Sequence, residues 1–327
     1  MALEWRAALD RPLSLPEEGL TYVVAPGRGI GDIARDLRDR GVLRSPHWLE
    51  WSARLGGEAG RLKAGEYHLR LGTTPRSLLT ALVAGRVVQH SLTLVEGWTF
   101  PYVLEAVRRH GAIRETLAGL SPEVVMERIG EPGVHPEGRF LPETYLFPRG
   151  TTDVEVLRRA YRDMATLLAQ AWQGREAQVR LKTPDEALVL ASIIEKETGQ
   201  PAERPRIAGV LLRRLQRGMP LQVDPTVIYG LGDRFDGNLR RQDLARDTPY
   251  NTYLRPGLPP TPIAMPGRAS IQAVLHPEEG ASLFYVARGD GSHVFSVSLE
   301  EHQRAVARYQ LRRGPEKSEP RPTDTGR

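Results

Sequence analysis

The stretch Thr183-Pro-Asp-Glu-Ala-Leu-Val-Leu-Ala-Ser-Ile-Ile-Glu-Lys-Glu-Thr198 carries both a fold signal and a chemical one. Thr183 suits the position before a helix, Pro184 the first helical position and Glu186 the third, which spells a capping box. Residues 187–194 then run on with few polar positions, and a helix that is apolar nearly all round is buried. At its far end stand Glu195, Lys196 and Glu197, with Gly199 after them. Two effects at Glu195 favour the neutral acid. Apolar surroundings disfavour the anion, and the negative end of the helix dipole disfavours it again. A carboxylic acid held protonated near neutral pH is what cleavage of a glycosidic bond needs as its general acid. Two blander roles fit the same position: Glu195 reaching solvent where the helix surfaces, or pairing with a nearby Arg. Glu197 lies about 200° further round the helix, so the two carboxylates do not face one substrate together. It reads as a solvated end-of-helix charge or an ion-pair partner.

Downstream, residues 203–217 form a helix pattern with Ile207, Val210, Leu211 and Leu215 facing inward, closed by Gly218. Beyond it come Gln222, Asp224, Tyr229, Tyr250, Asn251 and Tyr253. These are types that suit a sugar groove: amides and carboxylates for hydroxyls, aromatic faces for ring C–H surfaces. Asp224-Pro225 and Asn251 equally suit turns. Tyr145, in the dense aromatic and acidic cluster 137–148, and Trp98 equally suit a core. Residues 257–267 are too Pro-rich for regular structure and read as a rigid loop. A hairpin over 283–287 and 293–297 turns through Asp290-Gly291. A last helix spans 299–311 and carries His302.

Upstream, residues 1–19 are a Pro-punctuated lead. A short β run at 21–24 is followed by a helix with Ile30, Ile33, Ala34 and Leu37 on one face, stopped by Gly41. A second helix fits 47–55, with Ser45 and Pro46 at its start. An extended segment at 62–69 and a helix over 74–83, ended by Gly85, complete a β-α-α-β-like module at 20–85. Gly27, Gly29 and Gly31 lack the G-x-G-x-x-G spacing of a dinucleotide loop, and no acidic residue closes a βαβ unit after them, so they read as a turn before a helix. Residues 86–150 alternate extended runs with turns, and a long helix fits 153–172. The tail 312–327 is polar and Pro-rich, which predicts disorder. The expected fold class is α+β, a small β/α module followed by a larger mixed domain over 86–311.

Composition narrows the function. Lys+Arg 45 against Asp+Glu 40 leaves +5 over 327 residues, with acids interleaved throughout. No phosphate-tracking stripe forms, which argues against nucleic acid as a partner. Cys 0 removes disulfides, thiol catalysis and Cys-based metal sites. The eight His include no H-E-x-x-H or H-x-x-x-H pair, so neither a metal nor a cofactor is expected. No run approaches the roughly 20 apolar residues that span a bilayer, and the start has no signal-peptide apolar region.

Several motifs occur in order: Glu96-Gly-Trp-Thr99, Glu137-Gly followed by Pro142-Glu-Thr-Tyr145, Ala191-Ser-Ile-Ile-Glu-Lys-Glu-Thr198, Leu221-Gln-Val-Asp-Pro-Thr-Val-Ile-Tyr-Gly230, Tyr250-Asn-Thr-Tyr253 and Gly257-Leu-Pro-Pro260. With them, residues 20–311 resemble the MltG/YceG-like endolytic murein transglycosylases. The resemblance implies a LysM-like module at 20–85 and a catalytic domain at 86–311. It implies cleavage of the MurNAc–GlcNAc β-1,4 bond inside peptidoglycan strands, without hydrolysis. Glu195 would protonate the glycosidic oxygen and then, as carboxylate, take the proton of the sugar's own C6 hydroxyl. That leaves 1,6-anhydro-MurNAc ends and terminates nascent strands. Gln222, Asp224, Tyr250 and Asn251 would position the sugar or orient the acid. The resemblance further implies peptidoglycan synthases as partners and a place at the periplasmic face of the inner membrane. Family members usually begin with a membrane-spanning helix, which this sequence lacks. Val223 stands where the family often has Ser or Thr, and Thr261 where Gly is common. The rivals are a lysozyme-like hydrolase of the same polymer and a non-catalytic glycan-binding scaffold.

Overall fold

The computed structural model describes residues 2–310. The chain divides into two units. The first comprises Met1–Leu92, Ala106–Ala118 and Thr144–Val156; the second comprises Thr93–Glu105, Gly119–Glu143 and the chain from Leu157 onward.

The first unit begins with α1 (Ala2–Asp10), where the sequence suggested only an irregular lead. The correction has a simple cause: its residues are good helix formers, and Pro12 lies just beyond the last turn. Leu9 and Leu13 are buried. Then follow β1 (Leu20–Val24), α2 (Ile30–Asp39), α3 (Pro46–Leu55), β2 (Gly65–Leu69), α4 (Pro75–Ala84) and β3 (Gln89–Thr93). β1 and β2 pair antiparallel, with Leu20 opposite Leu69 and Val24 opposite Gly65. The apolar stripe of α2 packs on this ribbon, and Tyr22, Ile33, Leu37, Leu49, Tyr67 and Leu82 share one core. The β-α-α-β order matches the sequence pattern at 20–85. The unit extends further because β3 pairs with β4 (Thr144–Pro148). Next to that pairing, Glu66 Oε2 accepts from Arg149 Nε at 2.8 Å and lies 2.6 Å from His90 Nε2. Asp153, fully buried, accepts from the backbone of Thr116 and Leu117 at 2.7 and 2.8 Å.

The second unit is mainly helical: α5 (Phe100–Arg109), α6 (Pro122–Ile129), α7 (Asp153–Gln173), α8 (Pro184–Glu197), α9 (Arg204–Gln216), α10 (Asp224–Leu231), α11 (Arg241–Leu244) and α12 (Arg268–Leu275). The hairpin of β5 (Phe284–Ala287) and β6 (His293–Ser296) leads into α13 (Leu299–Tyr309). α5 and α7 contribute residues to both units. The centre is α8. Every residue from Ala187 to Ile194 is buried, and α9, α10 and α12 pack around it. Its capping box is half-formed. Thr183 Oγ1 accepts from Glu186 N at 3.2 Å, but the Glu186 carboxylate accepts from Lys182 N at 2.6 Å, one residue earlier than the motif prescribes. Two further differences from the sequence reading matter for the site. Asp224-Pro225 opens a helix instead of closing a turn, because Pro is as well suited to a first helical turn as to a bend. α12 follows directly on the Pro-rich loop. No described helix is long and apolar enough to cross a membrane. Leu311 and the tail 312–327 lie outside the described residues.

Truncation at the centre of α8 tests this architecture against its cap. Leu190→Ala is expected to destabilise the protein by about 2–5 kcal/mol. Thr183→Ala, which loses only the cap, should cost about 1 kcal/mol. Denaturant midpoints of the two variants check the order; a cap loss equal to the core loss would refute the central place of α8.

Candidate active site

α8 ends with two carboxylates on different sides, and their surroundings differ in kind. Ser192 and Glu195 are three residues apart and so share a face. Ser192 Oγ accepts from Ile263 N at 3.0 Å. Glu195 Oε2 accepts from Gly267 N at 2.9 Å and from Ser270 Oγ at 2.7 Å. Glu195 Oε1 lies 3.4 Å from Arg204 Nη2, and the Glu195 side chain is only 6% exposed. The two α8 side chains therefore hold the backbone of the Pro-rich loop. Gly267 is there for lack of space: a Cβ would stand 1.8 Å from Glu96 Oε1. Burial pushes the Glu96 carboxyl up, and the negative charge of Glu195 adds to this, while Arg204 opposes it. The apolar surroundings expected of Glu195 are thus corrected. Its carboxylate is gripped by a backbone amide, a hydroxyl and a guanidinium.

Glu197 also departs from its expected role. It is neither a solvated charge nor an ion-pair partner. It lies in the wall of an open cavity of about 680 Å³, together with Gln222, Asp224 and Tyr253, and with Arg214, Tyr285 and His293. Glu197 Oε2 accepts from Tyr285 OH at 2.6 Å. Burial pushes the Glu197 carboxyl up to about 7; the Tyr285 hydrogen bond pulls against this, and the nearby charge of Asp224 adds to it. Across the cavity, Asp224 Oδ1 accepts from Tyr253 OH at 2.5 Å. Both tyrosine hydroxyls are pushed up, by burial first and then by the carboxylates they serve. The buried Arg214 donates to Pro220 O at 2.9 Å and to Gln222 Oε1. Gln222 is the non-glycine residue with a left-handed backbone among those described, at φ +54°. Such a conformation costs on the order of 1–3 kcal/mol and collects at functional sites. Behind the hairpin, Glu203 Oε2 holds His293 Nδ1 at 2.7 Å.

The remaining sequence candidates are placed elsewhere. Asn251 is fully buried; its amide donates to Leu244 O and Arg246 O, and its Oδ1 accepts from Tyr253 N. It shapes the loop that carries Tyr253. Tyr229 and Tyr250 meet edge-to-face at 4.8 Å and pack on the core. Tyr229 OH donates to Glu137 Oε2 at 3.1 Å, and Tyr250 OH pairs with Thr261 Oγ1 at 2.8 Å. Tyr145 belongs to the first unit and is 1% exposed, a core residue of β4. Of the sequence-chosen set, Gln222, Asp224 and Tyr253 come together, without Glu195. Sequence reading missed Arg214, Tyr285, His293 and the place of Glu197 on the cavity wall. One signal was present. Arg214 falls seven residues after Ile207 and three after Leu211, on the apolar stripe of α9, where a charge must find partners. Among the described residues, no three His, Asp or Glu side chains are grouped to hold a metal ion.

The YceG-like family model matches residues 22–308. The endolytic murein transglycosylase of Bacillus subtilis (strain 168) is 30% identical over 303 residues, covering 88% of this chain and 83% of that protein. The endolytic murein transglycosylase of Streptococcus pneumoniae serotype 2 (strain D39) is 26% identical over 345 residues; the match takes in 93% of this chain and 61% of the streptococcal protein. The crystal structure of a YceG-like protein from Listeria monocytogenes superposes with a TM-score of 0.56 at 26% identity, covering 89% of this chain and all of that one.

Glu137 supplies a pH test of the scaffold. It caps α5 by accepting from Phe100 N at 3.1 Å, yet burial pushes its carboxyl up to about 7, against the pull of that amide and of Tyr229. A raised carboxyl means that the folded protein holds its proton where the unfolded chain has released it. Its contribution is therefore complete below about pH 4.5 and is lost as pH climbs to about 7. The loss is on the order of 3 kcal/mol. In Glu137→Gln the decline of the unfolding midpoint across this window should be shallower than in wild type. Parallel curves would show that Glu137 is not the titrating group.

Proposed function

The chain belongs to the YceG-like family, and on that premise we propose that it is an endolytic murein transglycosylase whose proton-transferring residue is Glu197. Its substrate is the peptidoglycan glycan strand, cut at the β-1,4 bond between MurNAc and GlcNAc. The observation that carries this reading is the position of Glu197, a half-buried carboxyl raised to about 7 on the wall of an open cavity of about 680 Å³. A general acid works best when its pKa lies near the working pH.

In this mechanism the neutral Glu197 gives its proton to the glycosidic oxygen as the C1–O4 bond breaks. The C6 hydroxyl of the same MurNAc attacks C1, forming the C1–O6 bond, and its proton passes to the Glu197 carboxylate. The acid is restored, and the strand ends in 1,6-anhydro-MurNAc. No water is consumed. The Tyr285 hydroxyl fixes one oxygen of Glu197 and leaves the other for the substrate. Glu195 is a positioning residue: it ties the end of α8 to the loop at Gly267 and Ser270.

Residues 20–85 would act as a LysM-like module that meets the same glycan. The substrate also sets the place of action, at the periplasmic face of the inner membrane, where nascent strands leave the synthases that make them. Cutting there would terminate growing strands.

The test is a pair of variants on purified glycan strands, with the products read by mass spectrometry. Wild type should yield anhydro ends; reducing ends would instead mark a lysozyme-like hydrolase. Glu197→Gln should lose on the order of 10²–10⁴-fold in rate. Glu195→Gln should lose less and should lower the melting temperature. A Glu197→Gln protein that cuts as fast as wild type would remove Glu197 from the chemistry. Wild type that binds strands without cutting them would make the chain a scaffold.

A further inference from the structure

Resting on the reading of Glu197 as the acid, we propose that Asp224 is the second catalytic carboxylate of the cavity: it faces the sugar with a negative charge that stabilises the oxocarbenium-like centre while Glu197 moves the proton. Sequence reading gave Asp224 a turn-forming role, or one in positioning the sugar or orienting the acid. The geometry points further.

The cavity presents two carboxylates in matching settings. Glu197 commits Oε2 to Tyr285 OH, and Asp224 commits Oδ1 to Tyr253 OH. Among the described residues, the other oxygen of each makes no hydrogen bond. The two tyrosines come from different elements, β5 and the loop after α11, so each carboxylate is aimed by a separate part of the fold. Asp224 is also the first residue of α10, where the helix dipole favours a negative charge. Arg214 shares the cavity wall with both tyrosines, and burial pulls its own guanidinium down.

The other charged and titratable groups facing Glu197 do not take over this role. Lys196 lies on its own helix and donates to Gly97 O at 3.2 Å. His293, on β6, is engaged by Glu203. His302, on α13, is pulled down by burial and by Arg214, and stacks on Phe284 at 5.2 Å. Asp224 is thus the carboxylate left to face positive charge in the substrate.

The chemistry asks for such a group. When C1–O4 breaks, positive charge develops at C1 and the ring oxygen, and Glu197 has just become an anion that must stay free for the C6 hydroxyl. A second carboxylate can stabilise that charge without exchanging a proton. Glu197 gives one proton and regains one, Asp224 forms no covalent bond, and the balance closes. Asp224 is exposed in the free protein, and a fixed charge aimed where charge develops gains strength as the substrate fills the open cavity and displaces water. The same negative charge makes it harder for Glu197 to ionise, which keeps it loaded.

The experiment compares wild type, Asp224→Asn and Asp224→Glu on glycan strands, with far-UV circular dichroism to confirm folding. Asp224→Asn should lower kcat by roughly 10²–10³-fold with KM nearly unchanged. The alkaline limb of its rate profile should move to lower pH, because the like charge beside Glu197 is gone. Asp224→Glu, which restores the charge, should recover part of the rate and return the limb upward. A raised KM with kcat and limb unmoved would reduce Asp224 to a hydroxyl ligand and overturn the proposal. A second measurement needs no turnover: the carboxyl carbon of Glu197, followed by ¹³C NMR, should titrate at lower pH in Asp224→Asn than in wild type. An unmoved titration overturns the proposal even if the protein proves to be a scaffold. Absence of anhydro ends from wild type would fail the transglycosylase reading separately.

Discussion

The site depends on how a helix that is buried all round comes to its end. α8 has no solvent face along Ala187–Ile194, so its polar residues can emerge only at the C-terminal turn. There the helical repeat sends alternate residues to opposite sides. Glu195 is turned toward the Pro-rich loop and Glu197 toward the open cavity. A carboxylate on the loop side must find donors, because an unpaired buried charge costs several kcal/mol. It finds Gly267 N, Ser270 and Arg204. The carboxylate on the cavity side has one hydroxyl and partial access to water, which is enough to hold it in place without holding it ionised.

That division also explains the loop. Residues 257–267 have too many prolines to satisfy their backbone by regular pairing. Two of their amides are taken up by α8 side chains, Ile263 by Ser192 and Gly267 by Glu195, and Met265 N donates to Trp98 O at 2.7 Å. Thr261 adds a hydroxyl contact to Tyr250, at a position where the resemblance suggested Gly. On the other side, Val223 and Gln222 are fastened to the Thr252 segment through Thr252 Oγ1 and O, at 3.1 Å each. Gln222 is thereby held in its left-handed conformation, and the start of α10 is fixed with Asp224 on the cavity wall. Strain at one residue is offset by hydrogen bonds around it.

Much of this was legible in the residues. The capped, apolar helix, the β-α-α-β order of the first unit, the closing hairpin and the last helix all follow from local patterning. Their signals lie within a few residues: a cap, a period, a turn. What could not be read was which side of a helix end opens to solvent. Helical spacing correctly separated Glu195 from Glu197, but it could not say which face the Pro-rich loop would cover. The partners of a buried carboxylate can come from far along the chain, and the donors to Glu195 come from residues about 70 positions later, at Gly267 and Ser270. Asn251, Tyr229, Tyr250 and Tyr145 show the same limit. Their chemistry suits a sugar, but packing had already engaged them.

The motif and the mechanism therefore carry different information. Ala191–Thr198 contains both carboxylates, so the motif marks the site without dividing the labour within it. Hydrogen-bond partners make the division. A group that must change its charge during a reaction is badly served by a ring of permanent donors, since each donor raises the cost of protonating it. A group that must anchor a loop needs that same ring. Glu195 has the surroundings of an anchor, and Glu197 has those of a proton carrier whose single tyrosine contact leaves one oxygen available. On the proposed mechanism the two requirements fall to different side chains, two glutamates separated by one lysine at the end of a buried helix.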